Sequence, residues 1–302
     1  MKPKWLIGID DLKNYKPAVP KHPIRPGIEF FSDWVDFTQK PKEQQSGWPT
    51  ISWPGFNHHF GGARPELVIL TGETGTGKTT FAMNWLHDQV DQQRPALLIS
   101  LENGPANSIT KLGQMVTGQW SWNTSEDGRT KFGKKLEEWP LHVLDWTGPL
   151  AQEIVGNAIE WACIERQVKF VLVDHLEFID KFIGSRNEAY VIDDCVRWLA
   201  GRAAMLDCTI VLVVHPAKRG KGMRNTEIDM DELKGTSGLK QTGGSVLVHH
   251  RPKNDSDETW IRLAKIRSES HSANSGGRIM FRFKAESQTY SEGDGFLDWG
   301  NG

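Results

Sequence analysis

The stretch GETGTGKT, Gly72 to Thr79, carries the densest chemistry in the chain. Its glycines let backbone N–H groups converge on phosphate oxygens, and the amphipathic pattern after it supplies the positive N-terminal end of a helix. Gly72, Glu73, Thr74, Gly75, Thr76, Gly77, Lys78, Thr79 and Thr80 would then line a nucleotide. Lys78 would reach the β and γ phosphates, and the Thr79 hydroxyl would take a Mg2+ position. Three more residues stand at the ends of apolar runs. Asp174 ends FVLVD, where a carboxylate can meet the magnesium or its water. Glu102 follows ALLISL and is placed to orient or deprotonate an attacking water. His215 directly follows TIVLVV and can sense the γ phosphate and report to the segment after it. Together these groups could hydrolyse ATP, or another NTP or dNTP, with Mg2+.

Such a site needs a sheet whose strand ends meet at one edge. ELVIL (66–70), ALLISL (96–101), FVLVD (170–174) and TIVLVV (209–214) have the length and β-branched content of strands buried on both faces. Helical patterns separate them. Phe81, Ala82, Trp85 and Leu86 form one apolar stripe, and Ile192, Val196, Leu199, Ala203 and Leu206 form another. The predicted fold is therefore α/β, a mostly parallel sheet flanked by helices. Beyond it SVLVHH, ETWIRLAKI and RIMFRFK are joined by turns without helices, which predicts an antiparallel C-terminal extension. Residues 1–60, rich in proline, aromatics and charge, read as an arm. The main domain then spans 61–290, with a frayed tail over 291–302.

Composition narrows the class. The chain has 302 residues and a formal net charge of -2, so any contact with nucleic acid must be local. Cys163, Cys195 and Cys208 are widely spaced in apolar runs, which favours reduced core thiols and a cytosolic setting. No apolar run approaches the ~18 residues of a membrane helix, so no membrane partner is expected.

The phosphate loop, Glu102, VLVDHLEF, and VVHP followed by a basic segment and LKGTSGLKQTGGSVLVHHR occur in a fixed order. Taken together they resemble the RecA-like P-loop NTPase core of hexameric replicative DNA helicases. The likeness is to phage primase-helicases and the mitochondrial helicase Twinkle, with DnaB-type enzymes further away, and it covers residues 60–290. It implies an NTP-driven homo-oligomer, a hexameric ring, that translocates on single-stranded DNA and hydrolyses nucleotide between subunits, with a primase or polymerase as partner. By position, Arg251 is similar to the family's trans-acting arginine finger, while Lys265 and Arg267 of LAKIRSES match the Lys-x-Arg pair of the DnaB-type branch; either arginine could serve. The family's N-terminal primase or collar is not matched by the first 60 residues, which would instead pack on a neighbouring subunit through Phe30, Phe31, Trp34 and Phe37, or cap their own domain. A different class also fits: a recombination, mediator or helicase-loading ATPase that uses nucleotide as an assembly switch.

KRGKGMR (218–224) has four basic residues in seven and no acid, and LKGTSGLKQTGGS (233–245) adds four glycines and two lysines. Lys218, Arg219, Lys221, Lys234, Gly235 and Lys240 could hold a single strand by its phosphates without reading bases. The bland alternative is a subunit-interface turn.

Overall fold

The computed structural model describes residues 6–8, 12, 47–175, 179–180, 188–215, 244–252, 257–267 and 271–297. Its strands are β1 (Leu6–Gly8), β2 (Leu67–Thr71), β3 (Ala96–Ser100), β4 (Leu141–Asp145), β5 (Leu150–Ala151), β6 (Phe170–Asp174), β7 (Ile179–Asp180), β8 (Thr209–Val214), β9 (Ser245–His250), β10 (Glu258–Lys265), β11 (Arg278–Lys284) and β12 (Thr289–Leu297). The helices are α1 (Pro54–Phe60), α2 (Lys78–Asp91), α3 (Gly104–Thr117), α4 (Glu126–Glu138), α5 (Gln152–Glu165) and α6 (Glu188–Met205). Among the described residues ten strands form one sheet, ordered β1-β4-β3-β6-β8-β2-β9-β10-β11-β12, and β5 pairs separately with β7. Pairing is parallel from β1 to β9 and antiparallel from β9 to β12.

Residue alternation explains why the central strands are apolar throughout. On β2, Leu67 and Ile69 join one core with α5 and α6, whereas Val68 and Leu70 join the other with α1 and α2. The same parity divides β3, β6, β8 and β9, so both sheet faces are covered. Local signals set the helix ends. Ser125 accepts from Gly128 N–H as the N-cap of α4, with Glu126 and Asp127 in its first turn. Proline sits in the first turn of α1 and of α3, and both helices close on a left-handed glycine, Gly61 and Gly118.

Three boundaries differ from the sequence expectation. SVLVHH is not simply antiparallel: β9 runs parallel to β2 and turns antiparallel only toward β10. Ser245, the first residue of β9, pairs with Val68 near the edge where the parallel strands begin. LHVLD, with a histidine in its apolar run, is the additional parallel strand β4. Beyond Tyr290 the chain does not fray, because β12 continues to Leu297 as the partner of β11.

The amino boundary also moves. Trp53, Phe56 and Phe60 are fully buried in the core that includes Phe81, Trp85 and Phe281. Trp53 stacks on Phe81 at 4.7 Å, and its Nε1 donates to the Tyr290 carbonyl at 3.1 Å. The Glu292 carboxylate accepts from the Gly55 and Phe56 N–H groups, tying α1 to β12. β1 pairs with β4 at the sheet edge, and Leu12 is buried in the opposite core. The described parts of the first 60 residues therefore cap their own domain, while Phe30, Phe31, Trp34 and Phe37 lie outside the described residues. Trp53→Ala is expected to cost about 3–5 kcal/mol and to lower the melting temperature of the whole domain. An unchanged melting curve would instead make this segment an independent arm.

Candidate active site

Parallel strands deliver their carboxyl ends to one edge. There β2 leads into Gly72, β3 into Glu102, β6 ends at Asp174, β8 leads to His215 and β9 to Arg251. The loop between β2 and α2 is held from below. A Cβ at Gly72 would stand 2.2 Å from the His249 carbonyl oxygen. One at Gly77, where φ is +108°, would stand 2.3 Å from Tyr290 Oη, so only glycine fits against this floor. Tyr290 Oη donates to the Gly77 carbonyl at 3.4 Å, and burial pushes its phenol pKa up. Lys78 is buried, with Nζ donating to the Gly72 and Glu73 carbonyls at 2.8 Å each.

Asp174 is 1% exposed. Its Oδ1 accepts from Thr79 Oγ1 at 3.0 Å, and its buried Oδ2 has no hydrogen-bond partner among the described residues. A buried carboxylate oxygen left over beside a threonine hydroxyl suits a magnesium ion, which takes few hard oxygen ligands from protein and the rest from phosphate and water. Glu102 is tied to the same place by its backbone, since Leu101 N–H and Glu102 N–H both point to the Asp174 carbonyl, at 2.7 and 3.4 Å. His175 is buried beneath them. Its Nε2 lies 2.9 Å from Glu102 Oε2 and 3.1 Å from Asp174 Oδ1, and its ring meets that of His215 at 4.3 Å, nearly perpendicular. Glu102, Asp174 and His175 each present a possible metal-ligand atom, all within 4.8 Å of one another.

The two candidate arginines fall at opposite edges. Arg251 directly follows β9 at the nucleotide edge, its guanidinium 5.6 Å from the Phe283 ring centroid. β10 runs the other way and leaves Lys265 and Arg267 where the parallel strands begin. There Arg267 N–H donates to Ser245 Oγ (3.3 Å), Ser245 Oγ donates to Glu66 Oε2 (2.9 Å), and Arg64 bonds Glu66 Oε1 (2.8 Å). Burial raises the Glu66 pKa against the pull of Arg64, Ser245 and Arg267. Burial and Arg267 lower that of Lys265. Arg267, Arg197 and Glu66 line a cleft of about 480 Å³ at this far edge. Lys265 and Arg267 thus stand away from the chain's own phosphate loop. Lys218, Arg219, Lys221, Lys234, Gly235 and Lys240 lie outside the described residues.

His175, His249, Tyr290 and Glu66 were not legible as site residues. Only the position of His175 directly after Asp174 offered a signal. His249 is wholly buried under the loop, both ring nitrogens lacking a hydrogen-bond partner among the described residues. Burial first, then Lys78 and Arg251, bring its pKa down from 6.5 to about 3. Between those values the unfolded chain binds a proton that the folded chain refuses, so stability falls as pH drops below 6.5. One such proton is worth about 1.4 kcal/mol per pH unit, or about 2 kcal/mol from pH 6.5 to 5. Denaturant titrations at the two pH values should show His249→Leu losing less stability than the parent by that amount; equal losses would contradict this role.

A sheet of this topology, ending in this loop, defines a P-loop nucleotide-binding domain of RecA-like architecture. A family model described as AAA domain matches residues 57–221, more than half of the chain, and the chain belongs to that family. Over 213 residues it is 29% identical to a UPF0273 protein of Methanopyrus kandleri, covering 60% of this chain and 76% of that protein. It is 24% identical over 134 residues to the circadian clock oscillator protein KaiC of Prochlorococcus marinus, covering 40% of this chain and 24% of that one. Among solved structures, an ATPase domain superposes with a TM-score of 0.77 at 14% identity, covering 89% of this chain and all of that one. A DnaB-like replicative helicase, whose interactions with primase were studied, superposes at 0.75 and 15% identity, covering 89% and 68%. The expected fold, a RecA-like core with an antiparallel extension, is thus shared with DnaB-like ATPase domains. Among the described residues no helix is long and apolar enough to cross a membrane.

Proposed function

We propose that this chain is an NTP-hydrolysing translocase on single-stranded DNA, of replicative-helicase type, working as a homo-oligomeric ring with nucleotide between subunits. One observation carries the reading. His215, at the nucleotide edge, and Ser245, inside the Glu66–Arg267 cluster at the far edge, lie on either side of the basic, glycine-rich sequence 216–244. A strand held by Lys218, Arg219, Lys221, Lys234, Gly235 and Lys240 would be felt at both. A head-to-tail ring joins two different patches of the same chain, and in this reading the far edge of one subunit faces the nucleotide edge of the next. Lys265 and Arg267 are therefore better placed than Arg251 to act in trans, and Arg251 better placed to act on the chain's own nucleotide. Within each subunit Gly72–Thr80 hold the phosphates, Lys78 neutralises their charge, Thr79 and Asp174 hold Mg2+, which would stabilise the charge developing on the phosphates, and Glu102 orients water. A primase is the partner that the DnaB-like likeness suggests.

Native mass measurement and NTPase assays with and without single-stranded DNA test this, followed by unwinding of a forked duplex. A ring with DNA-stimulated hydrolysis is expected. Arg267→Ala should lower turnover by about 10³-fold with nucleotide affinity retained, whereas Lys78→Ala should lose nucleotide binding itself. A monomer whose hydrolysis ignores DNA would contradict the proposal. A ring that binds DNA without unwinding would favour the assembly-switch alternative, a reading that the match to KaiC, named as a clock oscillator, makes worth separating.

A further inference from the structure

We propose that His175 is a positioning residue: a buried donor that holds Glu102 in its working place and links that hold to His215. The inference deepens the hydrolysis reading and rests on it. Glu102 has a side chain 41% exposed and room to turn into solvent, whereas the His175 side chain is 4% exposed and cannot turn. Nε2 faces two carboxylate oxygens, Glu102 Oε2 at 2.9 Å and Asp174 Oδ1 at 3.1 Å, both acceptors, so Nε2 must carry the hydrogen. Without that hydrogen two like charges would face each other across the gap, and the exposed one would swing away. His175 therefore fixes the carboxylate that has freedom to the one that has none. Its ring also meets the His215 ring, at 4.3 Å. Any shift of His215 moves the imidazole, and with it Glu102.

His175→Phe removes the donor at similar volume, and His175→Gln restores an N–H at a similar reach. With the full-length chain, His175→Phe should lower kcat on the order of 10²-fold, with ATP affinity within about threefold of the parent. His175→Gln should recover about a tenth of the parent rate or more. Long-range ¹⁵N NMR should show His175 protonated at Nε2, with its resonance shifted in Glu102→Gln. Mn2+ binding without nucleotide, followed by electron paramagnetic resonance, should not depend on His175. The proposal is overturned if His175→Phe keeps its kcat, if kcat and affinity fall together, if His175→Gln behaves as His175→Phe, or if Mn2+ binding vanishes with His175, which would make it a metal ligand. Should His175→Phe fail to fold, the Gln variant and the NMR comparison decide. A parent chain without hydrolysis would end the hydrolysis reading, while an unshifted His175 resonance would end this one.

Discussion

A carboxylate at the end of a strand buried on both faces must be met by donors or a cation, and Asp174 is such a group. Its strand, β6, lies inside the sheet between β3 and β8, each carrying residues into both cores. Leaving an ionised carboxylate there unanswered would cost several kcal/mol. Thr79 and His175 answer one oxygen, and the other has no hydrogen-bond partner among the described residues. Thr79 is fixed by α2, and His175 by its packing against His215. The phosphate loop, Glu102 and His215 all converge on this one buried carboxylate, directly or through His175.

The second constraint is directional. Strands β2, β3, β6 and β8 are parallel, so the residues just beyond their carboxyl ends gather at one edge. Since β9 is parallel to β2 while β10 reverses, the same extension gives Arg251 to the near edge and Arg267 to the far edge. The C-terminal strands are therefore part of the site. β12 supplies Tyr290 beneath Gly77, accepts Trp53 at its carbonyl and holds α1 through Glu292. Phosphate loop, amino-terminal helix and carboxyl-terminal strand share one aromatic core.

Much of this was readable in the residues. Four central strands, the stripe on α2 and the members of the nucleotide edge announce themselves by unbroken apolar runs and by the glycine pattern, because burial on both faces permits little else. What was hidden depended on contacts distant in sequence. Trp53 and Phe56 stand among prolines and charges, and only β11 and β12 reveal them as core. LHVLD carries a histidine, which masks β4. His249 follows the apolar run Val246–Val248 and precedes a second histidine, and its buried ring, unpartnered among the described residues, could be found only once the loop above it was in place. The fork between Arg251 and Arg267 required knowing which way β10 runs.

The most direct test is a structure of the full chain with Mg2+, a non-hydrolysable ATP analogue and single-stranded DNA. The expected result has the triphosphate in Gly72–Thr79, the metal on Thr79 and Asp174, Glu102 held by His175 toward the γ phosphate, and Arg267 reaching that phosphate from a neighbouring copy. A metal seated instead on Glu102, Asp174 and His175, or a nucleotide bound with no second copy near it, would contradict it.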